Sequence, residues 1–310
     1  MKIGIVFPGQ GSQYVGMGKE LYGTDKIFTA VLNEADDALH FSLSQMCLHG
    51  PEDELTLTAN AQPGILSISY ALWKIFERKG IEPACVAGHS LGEYTALLAA
   101  GVFSFADAVK LVRKRGQYMQ EAVPVGQGAM AAIIGLSLAD AEQICHEASN
   151  NRICACANYN SQDQVVISGD KDAVNAASEL ARQKGAKRVI PLKVSAPFHC
   201  QLMKPVELKL KEDIQKVVFK DLSIPLFNNV DASEVMRGMD AKNYLIKQIT
   251  APVMWYQIIM NMSNSGVNTF IEIGPGKVLT GLIKRINPDS KTYNIQDAAT
   301  LEETFSQLSG

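Results

Sequence analysis

The pentapeptide Gly88-His89-Ser90-Leu91-Gly92 does most to limit what this chain can fold into. A short apolar run, Ala84 to Ala87, precedes it and reads as a buried strand. The Ala/Leu-rich segment Leu91 to Ala99 follows and reads as a helix. A G-x-S-x-G sequence between a strand and a helix fits a nucleophile elbow, a sharp turn that lifts a serine out of the backbone. Gly88 would let the chain pack tightly behind that turn, and Gly92 would let the helix approach the strand. Ser90 is then the candidate nucleophile. Its hydroxyl would lie at a helix N-terminus, where free backbone N–H groups point outward and can hold a developing oxyanion.

With 310 residues, 47% of them hydrophobic, the chain can build one large core and a smaller one. No apolar run is long enough to span a bilayer. Met1 to Gly9 is too short for a signal peptide and reads as a first buried strand, so a cytoplasmic protein without a membrane partner is expected. A net charge of -3 and a pI of about 6.0 argue against a general nucleic-acid binder. The six cysteines form no paired C-x-x-C units, so no metal site is expected. Cys154 and Cys156 face one side of a strand and read as small buried hydrophobes. Nothing resembles a coiled coil, and a monomer is expected.

After the strand Lys2 to Phe7 comes a glycine-rich loop, Pro8-Gly9-Gln10-Gly11-Ser12-Gln13, whose backbone can curl and present an N–H inward. It lacks the lysine of a P-loop. Helices are expected over Lys26 to Leu39, Leu43 to Leu48 and about Gly64 to Arg78, and Phe105 to Gln120 follows the elbow helix. Read alone, Arg115 is one more solvated charge in the run Arg113-Lys114-Arg115, although Gly116 beside it leaves room for something to approach. From Ala129 to Leu192 the order is strand, helix, strand, strand, helix, strand, that of a ferredoxin-like module. The expected fold is α/β: an α/β-hydrolase-like core with a parallel sheet, residues 1–125 and 195–310, interrupted by a small inserted βαββαβ subdomain, residues 126–194. Gln201 to Lys216, Ala241 to Ile249 and Trp255 to Asn264 read as helices and Ile224 to Asn228 as extended. Val267 to Ile273 is expected as the last core strand and Lys277 to Ile286 as the closing helix.

A serine nucleophile needs a base, and the chain has five histidines. His40, His49 and His146 fall in helix ends or polar segments, and His89 is expected to pack beneath the elbow. His199, fixed behind Pro197-Phe198 at a domain junction, is the best general base, with Nε2 toward Ser90 and Nδ1 held by an acceptor. No obvious Asp or Glu sits where the acid of an α/β-hydrolase triad is expected, before the histidine and late in the chain; Asp221 and Asp231 follow His199. A Ser–His dyad, with a carbonyl orienting the histidine, therefore fits better. It could form an acyl-serine, and Arg115 could pair with a carboxylate on the acyl group.

At these residues the chain resembles the malonyl-CoA:acyl carrier protein transacylases, nearly end to end. The matching segments are Phe7 to Gln13, Gln62-Pro63, Gly88 to Tyr94, Arg115-Gly116 with Met119, Asn158, Asn160, Gln164 to Gly169, Phe198-His199, Gln248 with Pro252-Val253 and Trp255, and Glu272 to Gly276. The resemblance implies that Ser90 takes malonyl from coenzyme A as an ester, with His199 as base and then acid. It implies an oxyanion hole from the backbone N–H groups of Gln10 and Leu91. It also implies that Arg115 holds the malonyl carboxylate, with Gln62 lining the pocket, and that the Gln248 carbonyl orients His199. Phe198 is like the malonyl-selective form of the family. The acceptor implied is the phosphopantetheine thiol of acyl carrier protein, the product feeds fatty-acid synthesis, and no metal or bound cofactor is implied. The chain departs from the family at Gln162-Asp163, where Pro-Gly is common and a less rigid loop is expected. Lys187, Arg188, Lys193 and Lys204 could dock an acidic carrier, although solvation explains them equally well.

Three rivals remain at this stage. A free-standing polyketide malonyltransferase would share the chemistry and differ in carrier. A serine hydrolase or thioesterase would pass the acyl group to water and have no need of Arg115. A binding protein that kept the fold would form no serine adduct.

Overall fold

The computed structural model describes residues 1–309 apart from Val125, Lys193 and Ser195. Its strands, in chain order, are β1 (Ile3–Phe7), β2 (Cys85–Gly88), β3 (Gly128–Ile134), β4 (Cys154–Ser161), β5 (Gln164–Asp170), β6 (Arg188–Pro191), β7 (Leu226–Phe227), β8 (Glu234–Val235), β9 (Thr269–Ile273) and β10 (Lys291–Ile295). They form two sheets. The larger has the order β10-β9-β1-β2-β7-β8 and the smaller β4-β5-β3-β6.

The larger sheet is parallel except at β8, which pairs antiparallel with β7 at one edge. Every residue of β1, β2 and β9 is buried. That is why their sequences read as apolar runs and not as alternations. In the β1–β2 register Phe7 lies opposite Gly88, so both strands end at the same level. The loop after β1, which carries Gln10, and the turn after β2, which carries Ser90, therefore leave the sheet side by side.

The smaller sheet is antiparallel throughout, with the two helices Leu138–Ser149 and Lys171–Gln183 packed on it. Element order and strand order are those of the expected βαββαβ module. Cys154 and Cys156 lie in its buried cluster, and the Sγ atoms of Cys145 and Cys156 are 3.9 Å apart. The Gln162-Asp163 turn is tied down: Ser161 Oγ donates to Asp163 Oδ1 at 2.9 Å, Gln162 Nε2 to Tyr256 Oη at 2.9 Å, and the Gly135 N–H to the Asp163 carbonyl at 2.7 Å. A second tether joins β4 to the larger part, since Tyr159 N–H donates to the Val253 carbonyl and Val253 N–H to the Ala157 carbonyl.

Three expectations need correction. β9 is not the last core strand and Val278–Ile286 is not the closing helix, because β10 and the helix Ala298–Ser309 follow. Along β10 only Ile295 is buried, so its residues give a weak apolar signal. The last helix packs by Phe305, whose ring stacks on Phe76 at 5.7 Å. The long helix also begins early, at Thr58 and not near Gly64, and holds Pro63 within it. A proline has no N–H to give to the carbonyl four residues back, which here is Ala59. Arg113 Nη1 fills that vacancy by donating to the Ala59 carbonyl at 2.6 Å, and it also reaches Asn60 Oδ1.

That substitution of a guanidinium for a missing amide can be tested. Arg113→Met should lower stability to urea unfolding by ~1.5–3 kcal/mol, the usual worth of a hydrogen bond to a charged group. Adding Pro63→Ala, which restores the amide donor, should recover part of the loss.

Candidate active site

The elbow forms as its glycines require. A Cβ on Gly88 would lie 1.9 Å from the Gly92 carbonyl carbon, and one on Gly92 would lie 2.1 Å from the Phe7 carbonyl oxygen. This close packing of strand, turn and helix places Ser90 at φ 52° and ψ -103°, a left-handed conformation that costs a serine energy. Asn229 secures the turn from both sides. Its Oδ1 accepts from the Ser90 N–H and its Nδ2 donates to the Gly88 carbonyl, both at 2.7 Å. Leu91 is the first residue of the following helix, so its N–H has no acceptor within that helix. Among the described residues the Gln10 N–H also has no hydrogen-bond partner. The Gln10 side chain donates to Thr58 Oγ1 at 3.0 Å.

His199 Nε2 lies 2.7 Å from Ser90 Oγ. Its Nδ1 faces two carbonyls, Gln248 at 2.9 Å and Ala251 at 3.1 Å. Carbonyls only accept, so the ring proton sits on Nδ1 and Nε2 is free to take the serine proton. Burial first, then the Arg115 charge, holds His199 down to about 3, so the imidazole is neutral near pH 7. Both groups facing Nδ1 are backbone carbonyls. His89 sits beneath the elbow, with Nε2 2.9 Å from Asn160 Oδ1 and its ring against Trp255. His40, His49 and His146 are exposed.

Arg115 overturns the expectation of a solvated charge, being only 1% exposed. The room beside Gly116 is filled by another helix, because a Cβ there would come within 2.6 Å of the Thr58 carbonyl oxygen. That approach aims Arg115 into the site. Its Nη1 donates to Gln62 Oε1 at 2.9 Å, and its Nη2 donates at 3.0 Å to both Ser90 Oγ and Gln248 Oε1. Tyr94 lies with its ring 5.3 Å from Cζ. No carboxylate among the described residues forms an ion pair with this guanidinium. Burial lowers its pKa from the ordinary value.

Ser90, His199, Arg115 and Gln62 line a cavity of about 300 Å³. Met119, Met130, Leu192 and Phe198 form apolar walls, and Gln10 and Leu57 lie toward the loop side. Met130 lies on β3 and Asn158 on β4, so the small sheet lines the cavity together with the loops that follow β1 and β2 of the larger one. Three features were not found from the sequence: the Asn229 clamp, the side-chain contacts of Gln248, and the buried carboxyl of Glu93 that accepts from both. The doublet Asn228-Asn229 behind an apolar strand was the one available signal, and both residues prove fully buried.

A family model described as acyl transferase domain matches residues 5–301. The chain is 48% identical over 308 residues to the malonyl CoA-acyl carrier protein transacylase of Bacillus subtilis (strain 168), covering 99% of this chain and 97% of that one. The chain belongs to the malonyl CoA-acyl carrier protein transacylase family. The transacylase of Escherichia coli (strain K12) is 46% identical over 282 residues, 91% of each chain. Among solved structures, an acyl carrier protein S-malonyltransferase from Vibrio cholerae superposes with a TM-score of 0.96 at 44% identity, covering 98% of this chain and all of that one. A malonyl-transacylase solved in complex with its type II PKS acyl-carrier protein superposes with a TM-score of 0.97 at 40% identity, covering 99% of this chain and 100% of that one.

Two buried groups of this transacylase titrate with opposite sign. His199 falls from its ordinary 6.5 to about 3. Between those values the unfolded chain binds a proton that the folded chain refuses, so this contribution to stability shrinks as pH falls. Glu93 rises from its ordinary 4.5 to about 7 through burial, against the pull of its Gln248 and Asn229 bonds and Arg115. Between those values the folded chain binds the extra proton, so this contribution grows as pH falls. Urea unfolding at pH 7 and pH 5 should show the parent gaining stability relative to Glu93→Gln on acidification and losing it relative to His199→Asn.

Proposed function

We propose that this protein moves a malonyl group from malonyl-CoA to the phosphopantetheine thiol of acyl carrier protein through an ester on Ser90. One observation carries the reading: a buried guanidinium with no carboxylate partner among the described residues donates to the candidate nucleophile, Arg115 Nη2 to Ser90 Oγ at 3.0 Å. A cation so placed suits an acyl group that brings its own carboxylate. A hydrogen bond to a charged group is worth ~1.5–3 kcal/mol, enough to favour malonyl over acetyl by about 10- to 100-fold.

In the proposed mechanism His199 Nε2 takes the Ser90 proton as Oγ attacks the thioester carbonyl. The N–H groups of Gln10 and Leu91 receive the oxyanion. The thioester C–S bond then breaks, and the coenzyme A sulfur leaves with the proton from His199. The malonyl ester remains on Ser90, its carboxylate on Arg115, with Gln62 lining the pocket and the Gln248 carbonyl keeping His199 aligned. The pantetheine thiol of the carrier next gives its proton to His199 and attacks the ester carbonyl. Collapse returns the proton to Ser90. A thioester is exchanged for a thioester, so the reaction is close to even in energy and runs both ways. Phe198, on the cavity wall, leaves little space for a branched acyl group.

The division into residues 1–125 and 195–310 around an inserted subdomain, 126–194, belongs to the same proposal. So does a docking surface for an acidic carrier at Lys187 and Arg188, which are exposed beside β6. Lys204 pairs with Glu207, and Lys193 lies outside the described residues. No helix of the described residues is long and apolar enough to cross a membrane, and we place the protein in the cytoplasm.

Intact-protein mass after brief mixing with malonyl-CoA tests the reading. A malonyl adduct should form on the parent, be absent from Ser90→Ala, and discharge onto acyl carrier protein faster than into water. Arg115→Ala should lose most of the preference for malonyl-CoA over acetyl-CoA, by about 10- to 100-fold. An adduct that decays equally fast without the carrier would instead mark a hydrolase.

A further inference from the structure

Glu93 lies three residues beyond Ser90, in the first turn of the elbow helix, and is 1% exposed. A buried carboxyl must earn its place through hydrogen bonds. Its Oε2 accepts from Gln248 Nε2 at 2.6 Å and from the Asn229 N–H at 3.3 Å. These are the two residues that grip the site. Asn229 clamps the elbow on both sides of Ser90. Gln248 meets His199 through its carbonyl and Arg115 through its side chain.

The Gln248 amide can face only one way. Arg115 donates and never accepts, so Oε1 must face Nη2, at 3.0 Å. The Ser90 carbonyl only accepts, and Glu93 Oε2 also meets the Asn229 N–H and so accepts whether or not the carboxyl is protonated; Nε2 must therefore face them, at 2.9 Å and 2.6 Å. The Ser90 carbonyl belongs to the strained turn. Glu93 is the second fixed point, held by the helix that begins at the nucleophile, and its partial charge of opposite sign to Arg115 reinforces the same orientation.

We propose that Glu93 is a positioning residue for the acyl transfer: by fixing the Gln248 side chain, it keeps Arg115 aimed at Ser90 and so sets the preference for a carboxylate-bearing acyl group. The inference rests on the reading of Arg115 as the site of the malonyl carboxylate.

The test is rapid-quench loading of the full-length protein with saturating malonyl-CoA and, separately, acetyl-CoA, for the parent, Arg115→Ala, Glu93→Met, Glu93→Asp and Glu93→Gln, with thermal unfolding of each. Loss of the acceptor leaves the Gln248 side-chain N–H unpaired in a buried site and should cut malonyl loading in Glu93→Met by about 10- to 100-fold. Acetyl loading should fall much less, so the malonyl-to-acetyl ratio narrows by roughly tenfold. Glu93→Gln keeps an acceptor oxygen in place and should stay within about threefold of the parent in rate and ratio. Glu93→Asp withdraws the carboxyl by one methylene and should narrow the ratio at least about fivefold, which decides the matter should the Met variant not fold. A folded Met or Asp variant with the parent ratio overturns the inference, as does a Gln variant that loses as much as Met. If the parent shows no malonyl preference, or Arg115→Ala retains it, the reading of Arg115 fails first. A preference lost in Arg115→Ala but intact in every Glu93 variant sinks only the role of Glu93.

Discussion

A guanidinium buried with no ion-pair partner among the described residues sits at the centre of this site, and much of the site is arranged around it. Desolvating a cation costs several kcal/mol unless other groups take over the work of water. Around Arg115 that work falls to neutral oxygens of Gln62, Gln248 and Ser90 and to the face of Tyr94. They come from three elements, so the guanidinium joins the long helix, the elbow with its helix, and the segment that carries Gln248. Its charge also helps keep His199 unprotonated, since two cations this close repel. The same cation thus prepares the base as well as the pocket.

The second constraint is backbone strain. Ser90 and His199 both hold positive φ values, 52° and 56°, though neither is a glycine. Each such residue costs ~1–3 kcal/mol and persists only where its surroundings over-determine it. For Ser90 the surroundings are the Gly88–Gly92 contact and the two bonds from Asn229. For His199 they are the carbonyls of Gln248 and Ala251. Glu93, Asn229 and Gln248 form the layer below both residues, and every bond in that layer has an unambiguous donor and acceptor.

Much of this was legible in the residues. Ser90 was marked by local pattern, because an elbow needs its two glycines at fixed spacing. His199 followed by elimination and by its place after proline at a junction, and the βαββαβ order of the small sheet followed from periodicity. The burial of Arg115 was not legible. It depends on a helix–helix approach at Gly116 that no local pattern records, and its neighbours Arg113 and Lys114 suggest solvent. Asn229 and the Gln248 side chain act across 139 and 158 residues of chain from Ser90, so no spacing could connect them. Pro63 read as a helix boundary because proline lacks an amide, while the compensation comes from Arg113 on another helix. At β10 the pattern was weak for a physical reason, since an edge strand with one buried residue needs little apolar character.

The absence of a carboxylate behind His199 bears on who can receive the acyl group. In the unloaded site Arg115 donates to Ser90 Oγ and His199 Nε2 lies 2.7 Å from it, so this weakly acidic hydroxyl is held in place for attack, an advantage that a water lacks. In the proposed mechanism the malonyl carboxylate engages the guanidinium from the moment malonyl-CoA binds, so in both steps proton removal falls to His199. The attacking group must then rely on a neutral imidazole held by carbonyls. A thiol, with a pKa of about 8.5, gives up its proton easily and needs little more. Water, at ~15.7, needs far more assistance. A dyad is therefore sufficient for a pantetheine thiol and poor for water. Discrimination between transfer and hydrolysis then follows from the strength of the base, with the apolar walls of Met119, Met130, Leu192 and Phe198 adding to it by limiting the water that can approach.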